Sequence, residues 1–243
     1  MTALTRDSIS LRGAGMVSIL QPKKGFRFTL DSLLLADFCR IKPRDRILEP
    51  GAGTGIISLV LAKKFPFAHF VADEVEPQAY SLLRLNVENN GLGDTIVTVD
   101  RDIEHLNRSI ATGAFDIIVA NPPYTKFGTG RKSPSPERQR ARQDQSAALN
   151  AWLDLHTLLK NKGRYFLVFT ASRAAELLSL LRGKKLEPKR LRSVHPDLNK
   201  PASLVLIESI KGAGTGLEIM PPLIVHGSGG RFTDEMRDIY GMT

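Results

Sequence analysis

The sequence has few of the residues that cross-link a chain or carry it through a membrane. Cys39 is the single cysteine among 243 residues, which excludes an intrachain disulfide and argues against a zinc site. The longest largely apolar runs, such as residues 56–62, are far shorter than the ~18 residues that span a bilayer. Residues 1–20 lack an apolar stretch of signal-peptide length. We therefore expect a soluble, cytoplasmic protein.

Acidic residues are the minority among the charged side chains. Lys and Arg number 34 and Asp and Glu number 25, which gives a formal net charge of +9. Such a surplus favours a polyanionic partner, because phosphate contacts supply most non-specific affinity for nucleic acids. The basic residues form one cluster in residues 126–142, opposed only by Glu137, and a second in residues 184–200. The second consists of Lys184, Lys185, Lys189, Arg190, Arg192 and Lys200.

From residue 46 onward, short apolar strands alternate with helical stretches. The predicted strands are residues 46–49, 70–72, 95–99, 115–120, 163–170, 190–194 and 203–210. The predicted helices are residues 56–65, 77–90, 103–111, 144–159 and 172–182, the last capped by Ser172. Strands that are apolar on both faces and alternate with helices predict a single α/β domain over 1–243, with a mostly parallel central sheet and helices on both faces. Residues 125–143 are rich in Gly, Pro, Ser and basic residues and show no periodicity, which indicates a functional loop.

A glycine-rich turn separates the strand at residues 46–49 from its helix. It carries Gly51, Gly53 and Gly55, whose freedom to adopt positive φ lets a ligand approach the backbone closely. The turn lacks the Gly-Lys-Ser/Thr of a phosphate-binding loop. Glu49 at its start would repel a pyrophosphate but suits an ammonium or sulfonium group. The turn therefore predicts a nucleoside ligand with a cationic tail, such as S-adenosylmethionine.

Acidic residues follow the next two predicted strands. Glu74 comes 19 residues after Gly55, close to the spacing at which an acid accepts hydrogen bonds from ribose hydroxyls. Glu76 is the alternative ribose ligand, because a small register error would exchange the two. Asp102 is placed to accept a hydrogen bond from the adenine amino group of the cofactor, and the alternative for Asp102 is a helix N-cap.

Asn121-Pro122-Pro123-Tyr124 ends the predicted strand at residues 115–120. The two prolines remove backbone donors and fix an extended turn. The side-chain oxygen of Asn121 and the carbonyl of Pro122 can then accept both hydrogens of one planar NH₂ group, which directs its lone pair and stabilises developing charge. Pro123 and Tyr124 would contact the substrate, with Tyr124 as the stacking face. We predict Asn121, Pro122 and Tyr124 as catalytic, in a methyl transfer that needs neither a metal nor a histidine.

These residues together resemble the class I S-adenosylmethionine-dependent methyltransferases, in the branch that acts on planar amino nitrogens. Within that branch, residues 21–35 (QPKKGFRFTLDSLLL) are similar to the signature of the valine-tRNA adenine N6-methyltransferases, which modify the adenosine 3′ of the anticodon. The resemblance covers nearly the whole chain and implies a Rossmann-like fold, S-adenosylmethionine as cofactor and tRNA as the partner of a monomer. It also implies that residues 1–45 cover the site, with Phe28, Asp31 and Asn121 contacting the cofactor.

The basic loop of residues 125–143 is the predicted substrate-binding element. Its phosphate-binding candidates are Lys126, Arg131, Lys132 and Arg138. The sequence departs from the family pattern at Gln143-Asp144, where relatives are expected to have His-Glu, and at Asp73, where an apolar residue is usual.

Other functions are compatible with the same tetrapeptide. Enzymes that methylate a glutamine of a peptide release factor use it, but they typically carry a helical domain before the core, and only 45 residues precede the first core strand here. Adenine methylation in rRNA or DNA is a further alternative. A cofactor-binding scaffold without catalysis is disfavoured by the intact residues 121–124.

Overall fold

The computed structural model describes residues 3–11, 13–23, 29–123 and 147–242. Several predicted contacts lie outside these residues and stay predictions from the sequence. They are Phe28, Tyr124 and the loop of residues 125–143 with Lys126, Arg131, Lys132 and Arg138. Among the helices of the described residues, none is long and apolar enough to cross a membrane.

A β-hairpin comes first and an alternation of helices and strands follows. The hairpin consists of β1 (Leu4–Leu11) and β2 (Gly15–Pro22), which pair antiparallel. Next come α1 (Leu30–Phe38), β3 (Arg46–Glu49), α2 (Ile56–Lys64), β4 (His69–Asp73), α3 (Pro77–Asn89), β5 (Ile96–Val99), α4 (Ile103–Ser109) and β6 (Phe115–Ala120). After the undescribed loop come α5 (147–154), β7 (Leu159–Thr170), α6 (Ala174–Gly183), β8 (Leu186–Asp197), β9 (Leu204–Lys211), β10 (Glu218–Ile219), β11 (Leu223–His226) and α7 (Asp234–Ile239).

The central sheet is mostly parallel, as predicted. Its strand order is β10-β8-β9-β7-β6-β3-β4-β5, and β11 also pairs with β8. Strand β9 runs antiparallel to both of its neighbours, and the other pairs in this sheet are parallel. Consequently β3 to β8 and β11 all point the same way, and their last residues meet at one edge of the sheet. We call this the carboxyl edge, and it is where open α/β sheets bind ligands.

Alternate residues of the central strands enter two separate hydrophobic clusters. Ile47 and Ile117 pack on one face, while their neighbours Leu48 and Ile118 pack on the other. The first face is covered by the hairpin, α1, α2, α3 and α7, and the second face by α4, α5 and α6. The predicted α/β class with helices on both faces is therefore confirmed.

The predicted helix over residues 144–159 ends earlier in the structure. Helix α5 stops at residue 154, a 3₁₀ turn occupies Leu155–Leu158, and β7 already begins at Leu159. Leu155, Leu158 and Leu159 are all buried. Their helix-like spacing arises because residues of a 3₁₀ turn and of the following strand face the core, and it does not indicate a helix. Apolar periodicity alone cannot distinguish these cases.

The prediction that Ser172 caps α6 is wrong. Arg173 occupies the N-cap position, and a 3₁₀ turn over Ala171–Arg173 precedes the helix. The Ser172 hydroxyl lies 3.2 Å from Thr170 Oγ1, so a neighbouring hydroxyl takes the place of a helix amide as its partner.

Two buried asparagines of α3 attach the hairpin to the core. Asn86 Oδ1 accepts from Leu20 N at 2.7 Å, and Asn86 Nδ2 donates to the Leu20 carbonyl at 2.9 Å. Asn90 pairs in the same way with both backbone groups of Ser18, at 3.0 and 2.7 Å. The two side chains thus pair with the backbone of β2 as a neighbouring strand would. Asn86 Nδ2 also donates to the carbonyl of Thr54 at 2.9 Å, which connects the hairpin to the glycine turn.

We expect Asn86→Ala to lower the free energy of unfolding by about 2–4 kcal/mol, because the substitution leaves three backbone groups without this partner. Urea denaturation measures the loss, and amide hydrogen exchange at Leu20 should become faster in the variant. Asn89→Ala, an exposed change on the same helix, is the control and should shift stability by less than about 0.5 kcal/mol. Equal stability of the two variants would contradict this role of Asn86.

Candidate active site

The glycine turn adopts a left-handed backbone, which glycine accommodates without strain. Gly51, Gly53 and Gly55 have φ of 59°, 58° and 90°. A Cβ on Gly51 would lie 2.4 Å from Cη2 of Trp152, and one on Gly55 would lie 2.5 Å from Cδ1 of Leu83. The turn is therefore fixed both by its left-handed conformation and by close packing on either side.

Glu49 lies buried beneath this turn, with 3% of its surface exposed. Its Oε2 accepts hydrogen bonds from the backbone N–H of Ser58, at 2.8 Å, and from the Ser58 hydroxyl. Burial nevertheless raises the pKa of Glu49 from 4.5 to about 8, against the opposing effect of the Ser58 bonds. At neutral pH the carboxyl is mostly protonated, and a cationic ligand nearby would favour its ionised form.

The carboxylate of Glu74 lies directly against the turn. Glu74 Oε2 accepts from Gly53 N at 2.8 Å, and its Oε1 accepts from Glu76 N at 2.8 Å. Glu76 instead caps α3 by accepting from Ala79 N at 2.7 Å, and its side chain is exposed. Of the two alternatives for a ribose ligand, the geometry favours Glu74, since each of its oxygens keeps a lone pair beside the turn.

Asp102 occupies the N-cap position of α4, immediately after β5. It accepts from His105 N at 2.7 Å, and its Oδ2 lies 2.5 Å from His105 Nδ1. These contacts match the N-cap alternative, and the role in binding an adenine amino group stays a prediction.

Asp73, the acid that precedes Glu74, holds two backbone segments in place. Asp73 is buried, and its Oδ1 accepts from Arg101 N at 3.0 Å, which fixes the segment that leads to Asp102. Its own carbonyl accepts from Ala52 N at 2.7 Å and holds the glycine turn. Burial raises the pKa of this carboxyl to about 7.

Asn121 follows β6 at the carboxyl edge and is held by a residue of α1. Asn121 Nδ2 donates to the Ser32 hydroxyl at 3.0 Å. Ser32 is 6% exposed and follows Asp31 in the first turn of that helix. Because the NH₂ group is engaged, Oδ1 of Asn121 is left as an acceptor. Pro122 is buried and Pro123 is exposed, so the ring of the second proline is the one that a substrate can pack against.

Sequence reasoning did not identify Ser32 or Asn86 as functional residues. Ser32 is the one polar residue among the buried residues of α1, and Asn86 stands on the buried face of α3. A polar residue on an otherwise apolar helical face was the available signal, since a buried polar group needs a partner.

The structure brings most of the predicted site together at the carboxyl edge. Strands β6, β3, β4 and β5 are consecutive neighbours, so the turn, Glu74, Asp102 and Asn121 lie within about three strand spacings, or ~14 Å. Among the residues described, no group of three His, Cys, Asp or Glu side chains is arranged to hold a metal ion.

The second basic cluster of the sequence does not form one surface. Arg190 is buried, pairs with Glu208 at 2.7 Å and lies 4.4 Å over the ring of Phe38. Lys184 lies at the opposite edge from the site, where it pairs with Asp154, and of the six basic residues only Lys200 follows the end of β8. Alternation along β8 separates side chains that are close in sequence.

We expect the stability of the protein to fall as the pH rises from about 5 to about 8. An acid with a folded pKa near 8 and an unfolded pKa near 4.5 stabilises the fold fully only below the lower value. Glu49→Gln keeps an acceptor for Ser58 without the ionisation, so the variant should be less sensitive to pH and more stable than the wild type above pH 8. Urea denaturation between pH 5 and 9 measures this, with Glu88→Gln, an exposed change, as the control. Parallel profiles for Glu49→Gln and the wild type would contradict the raised pKa.

Several solved methyltransferases share this architecture. A predicted O-methyltransferase from Agrobacterium tumefaciens superposes with a TM-score of 0.71 at 20% identity, covering 87% of this chain and 96% of that chain. A 16S rRNA N2 G1207 methyltransferase of T. thermophilus, solved with AdoMet and guanosine, gives a TM-score of 0.60 at 20% identity, covering 87% and 51%. At these identities the likeness confirms the fold alone.

Proteins related in sequence identify the family more specifically than the solved structures do. Residues 27–133 match the methyltransferase small domain. The tRNA1(Val) (adenine(37)-N6)-methyltransferase of Vibrio campbellii is 28% identical over 227 residues, which is 92% of each chain. The protein of the same name from Porphyromonas gingivalis is 30% identical over 219 residues, covering 86% of this chain and 85% of its own. With this likeness along most of both chains, the protein belongs to the tRNA1(Val) (adenine(37)-N6)-methyltransferase family.

Proposed function

We propose that this protein transfers the methyl group of S-adenosylmethionine to N6 of an adenine in tRNA, with adenosine 37 of tRNA1(Val) as the target. The observation that carries the proposal is the position of Asn121 at the carboxyl edge, where Ser32 engages its NH₂ group and leaves Oδ1 to accept. The printed names of the relatives and the net charge of +9 support a tRNA substrate.

The residues around the glycine turn fit the cofactor. Glu74 offers lone pairs to ribose hydroxyls while Gly53 and Glu76 fix its carboxylate. The buried Glu49 becomes a counter-charge for a cationic tail once it ionises. S-adenosylmethionine, when bound, supplies a methyl group on a sulfonium that is already a good leaving group. We assign Glu49, Gly51, Gly53, Gly55, Glu74 and Asp102 to cofactor binding, together with Phe28, Asp31 and Asn121.

Asn121 and Pro122 act on the target nitrogen. Their two oxygens accept the two amino hydrogens of the adenine, so the nitrogen lone pair leaves conjugation with the ring and is directed at the methyl group. The nitrogen gains the methyl carbon and releases one proton to water, and no side chain has to act as a base. Tyr124 and Pro123 provide the surface against which the base lies.

An anticodon loop suits this site physically. Its bases are already single-stranded, so exposing one of them costs less than extrusion from a duplex. We assign the phosphate contacts to Lys126, Arg131, Lys132 and Arg138 of the loop over residues 125–143, where basic residues outnumber acidic ones.

Labelled S-adenosylmethionine, offered with total tRNA, rRNA and a peptide release factor in separate reactions, tests the proposal. We expect label in tRNA alone, recovered after digestion as N6-methyladenosine. Asn121→Ala should lose at least ~100-fold in methyl transfer, far more than it loses in cofactor affinity, because its interaction with the target nitrogen is made in the transition state. Label on glutamine of the release factor, or full turnover by Asn121→Ala, would refute the proposal.

The contact between Ser32 and Asn121 predicts a separate kinetic effect. We expect Ser32→Ala to lower kcat about tenfold, because the unpaired amide can turn its NH₂ group toward the adenine amine, while KM for the cofactor stays within about twofold. Ser32→Thr keeps the hydroxyl and should restore most of the rate.

Two controls separate positioning from general damage. Ser209→Ala removes another fully buried hydroxyl, one without a hydrogen-bond partner, and should leave kcat unchanged. In the Asn121→Ala background, Ser32→Ala should have no further effect, since positions that act through one contact are not additive. An equal loss in both backgrounds would contradict the positioning role.

A further inference from the structure

A cavity lies at the carboxyl edge, apart from the glycine turn and Asn121. Its volume is about 730 Å³, and it is lined by residues 196–200, where β8 ends, and by residues 226–230, where β11 ends. Both strands run parallel to β3 and β6, so the cavity opens on the same edge as Asn121. Strand β8 lies three strand spacings from β6, and β11 lies four, which corresponds to ~14–19 Å. The cavity is therefore too far from Asn121 to hold the target base itself.

An aromatic stack joins the cavity to α1. The ring of His226, which lines the cavity, stacks on Phe232 at 5.3 Å between ring centres, and Phe232 stacks on Tyr240 at 5.2 Å. Burial and then the nearby carboxylate of Asp31 raise the pKa of the Tyr240 phenol, so the far end of the stack lies beside the helix that carries Ser32. His226 Nδ1 lies 3.1 Å from the carbonyl of Pro196 and donates to it, which fixes the ring. A planar base placed on His226 would extend the stack by one member.

The walls of the cavity suit a nucleotide. Gly229 and Gly230 both have φ of 71°, and a Cβ on either would meet no atom within 4 Å, so the loop leaves its backbone uncovered. Lys200 is 65% exposed at the rim, and the exposed Arg231 directly follows the glycines. Asp197 opposes them and pairs with Lys200 at 2.8 Å. Together Lys200, Arg231 and Asp197 carry one net positive charge.

We propose that this cavity binds one unpaired nucleotide of the RNA substrate, a neighbour of the methylated adenosine. The base stacks on His226, and the phosphate lies between Lys200 and Arg231. This subsite rests on the proposed function for the identity of the RNA, and it accounts for a cavity and an aromatic stack that the methyl-transfer residues do not use.

Fluorescence of 2-aminopurine tests the subsite without any methylation step. The base is placed singly at each position of an anticodon stem-loop, and each RNA is titrated with the wild-type protein. We expect one position other than the target to be quenched by stacking. His226→Ala should abolish that quenching and weaken RNA binding about tenfold, whereas His226→Phe should retain both. His69→Ala, an exposed histidine at the start of β4, is the matched control and should behave as the wild type.

A second pair of variants tests the phosphate contact on the protein surface. Lys200→Gln with Arg231→Gln should weaken binding and reduce the slope of log Kd against log salt by about 1 to 2. Arg182→Gln with Lys185→Gln removes the same charge at the opposite edge and should change neither value.

The possible outcomes separate the subsite from the proposed function. The subsite is wrong if tRNA is methylated but no quenched position depends on His226. It is also wrong if the Lys200/Arg231 and Arg182/Lys185 double variants change RNA binding equally. If quenching depends on His226 but no tRNA is methylated, the nucleotide subsite stands and the proposed function fails.

Discussion

Two hydrogen bonds attach the glycine turn to the end of β4, and the geometry of the site depends on them. Ala52 N donates to the Asp73 carbonyl at 2.7 Å, and Gly53 N donates to Glu74 Oε2 at 2.8 Å. The left-handed glycines make these amides available, and the parallel pairing of β3 with β4 brings them to the acids. The turn and Glu74 are therefore one unit, so that neither can move without breaking a buried hydrogen bond.

The N-terminal segment, which comprises the hairpin and α1, contacts both the glycine turn and Asn121. Through Asn86, the hairpin is connected to the Thr54 carbonyl of the turn. Through Ser32, helix α1 is connected to the amide of Asn121. A segment expected only to cover the cofactor thus also contacts Asn121, the proposed catalytic residue. The glycine turn and Asn121 are consequently both held by the same N-terminal segment.

The sequence predicted elements whose pattern is local and missed those that depend on distant partners. The sequence predicts strands Arg46–Glu49 and Phe115–Ala120 residue for residue, because short, largely apolar segments between helices are typical of buried parallel strands. The attachment of β2 to Asn86 and Asn90 was missed because those side chains lie on α3, far along the chain. The site motifs were found for the same local reason, whereas Ser32 gains its meaning only when α1 meets the end of β6.

The acids at the glycine turn are separated from solvent by depth. Glu49, Asp73 and Glu74 are all buried there, and burial raises the pKa of Glu49 to about 8 and that of Asp73 to about 7. A cationic group that entered the turn would favour their ionised forms, because charges attract strongly at low dielectric. Charges that face solvent behave differently, since salt screens them within about 8–10 Å. Separation by depth, more than by distance along the edge, allows a chain with a net charge of +9 to keep a group of acids beside its glycine turn.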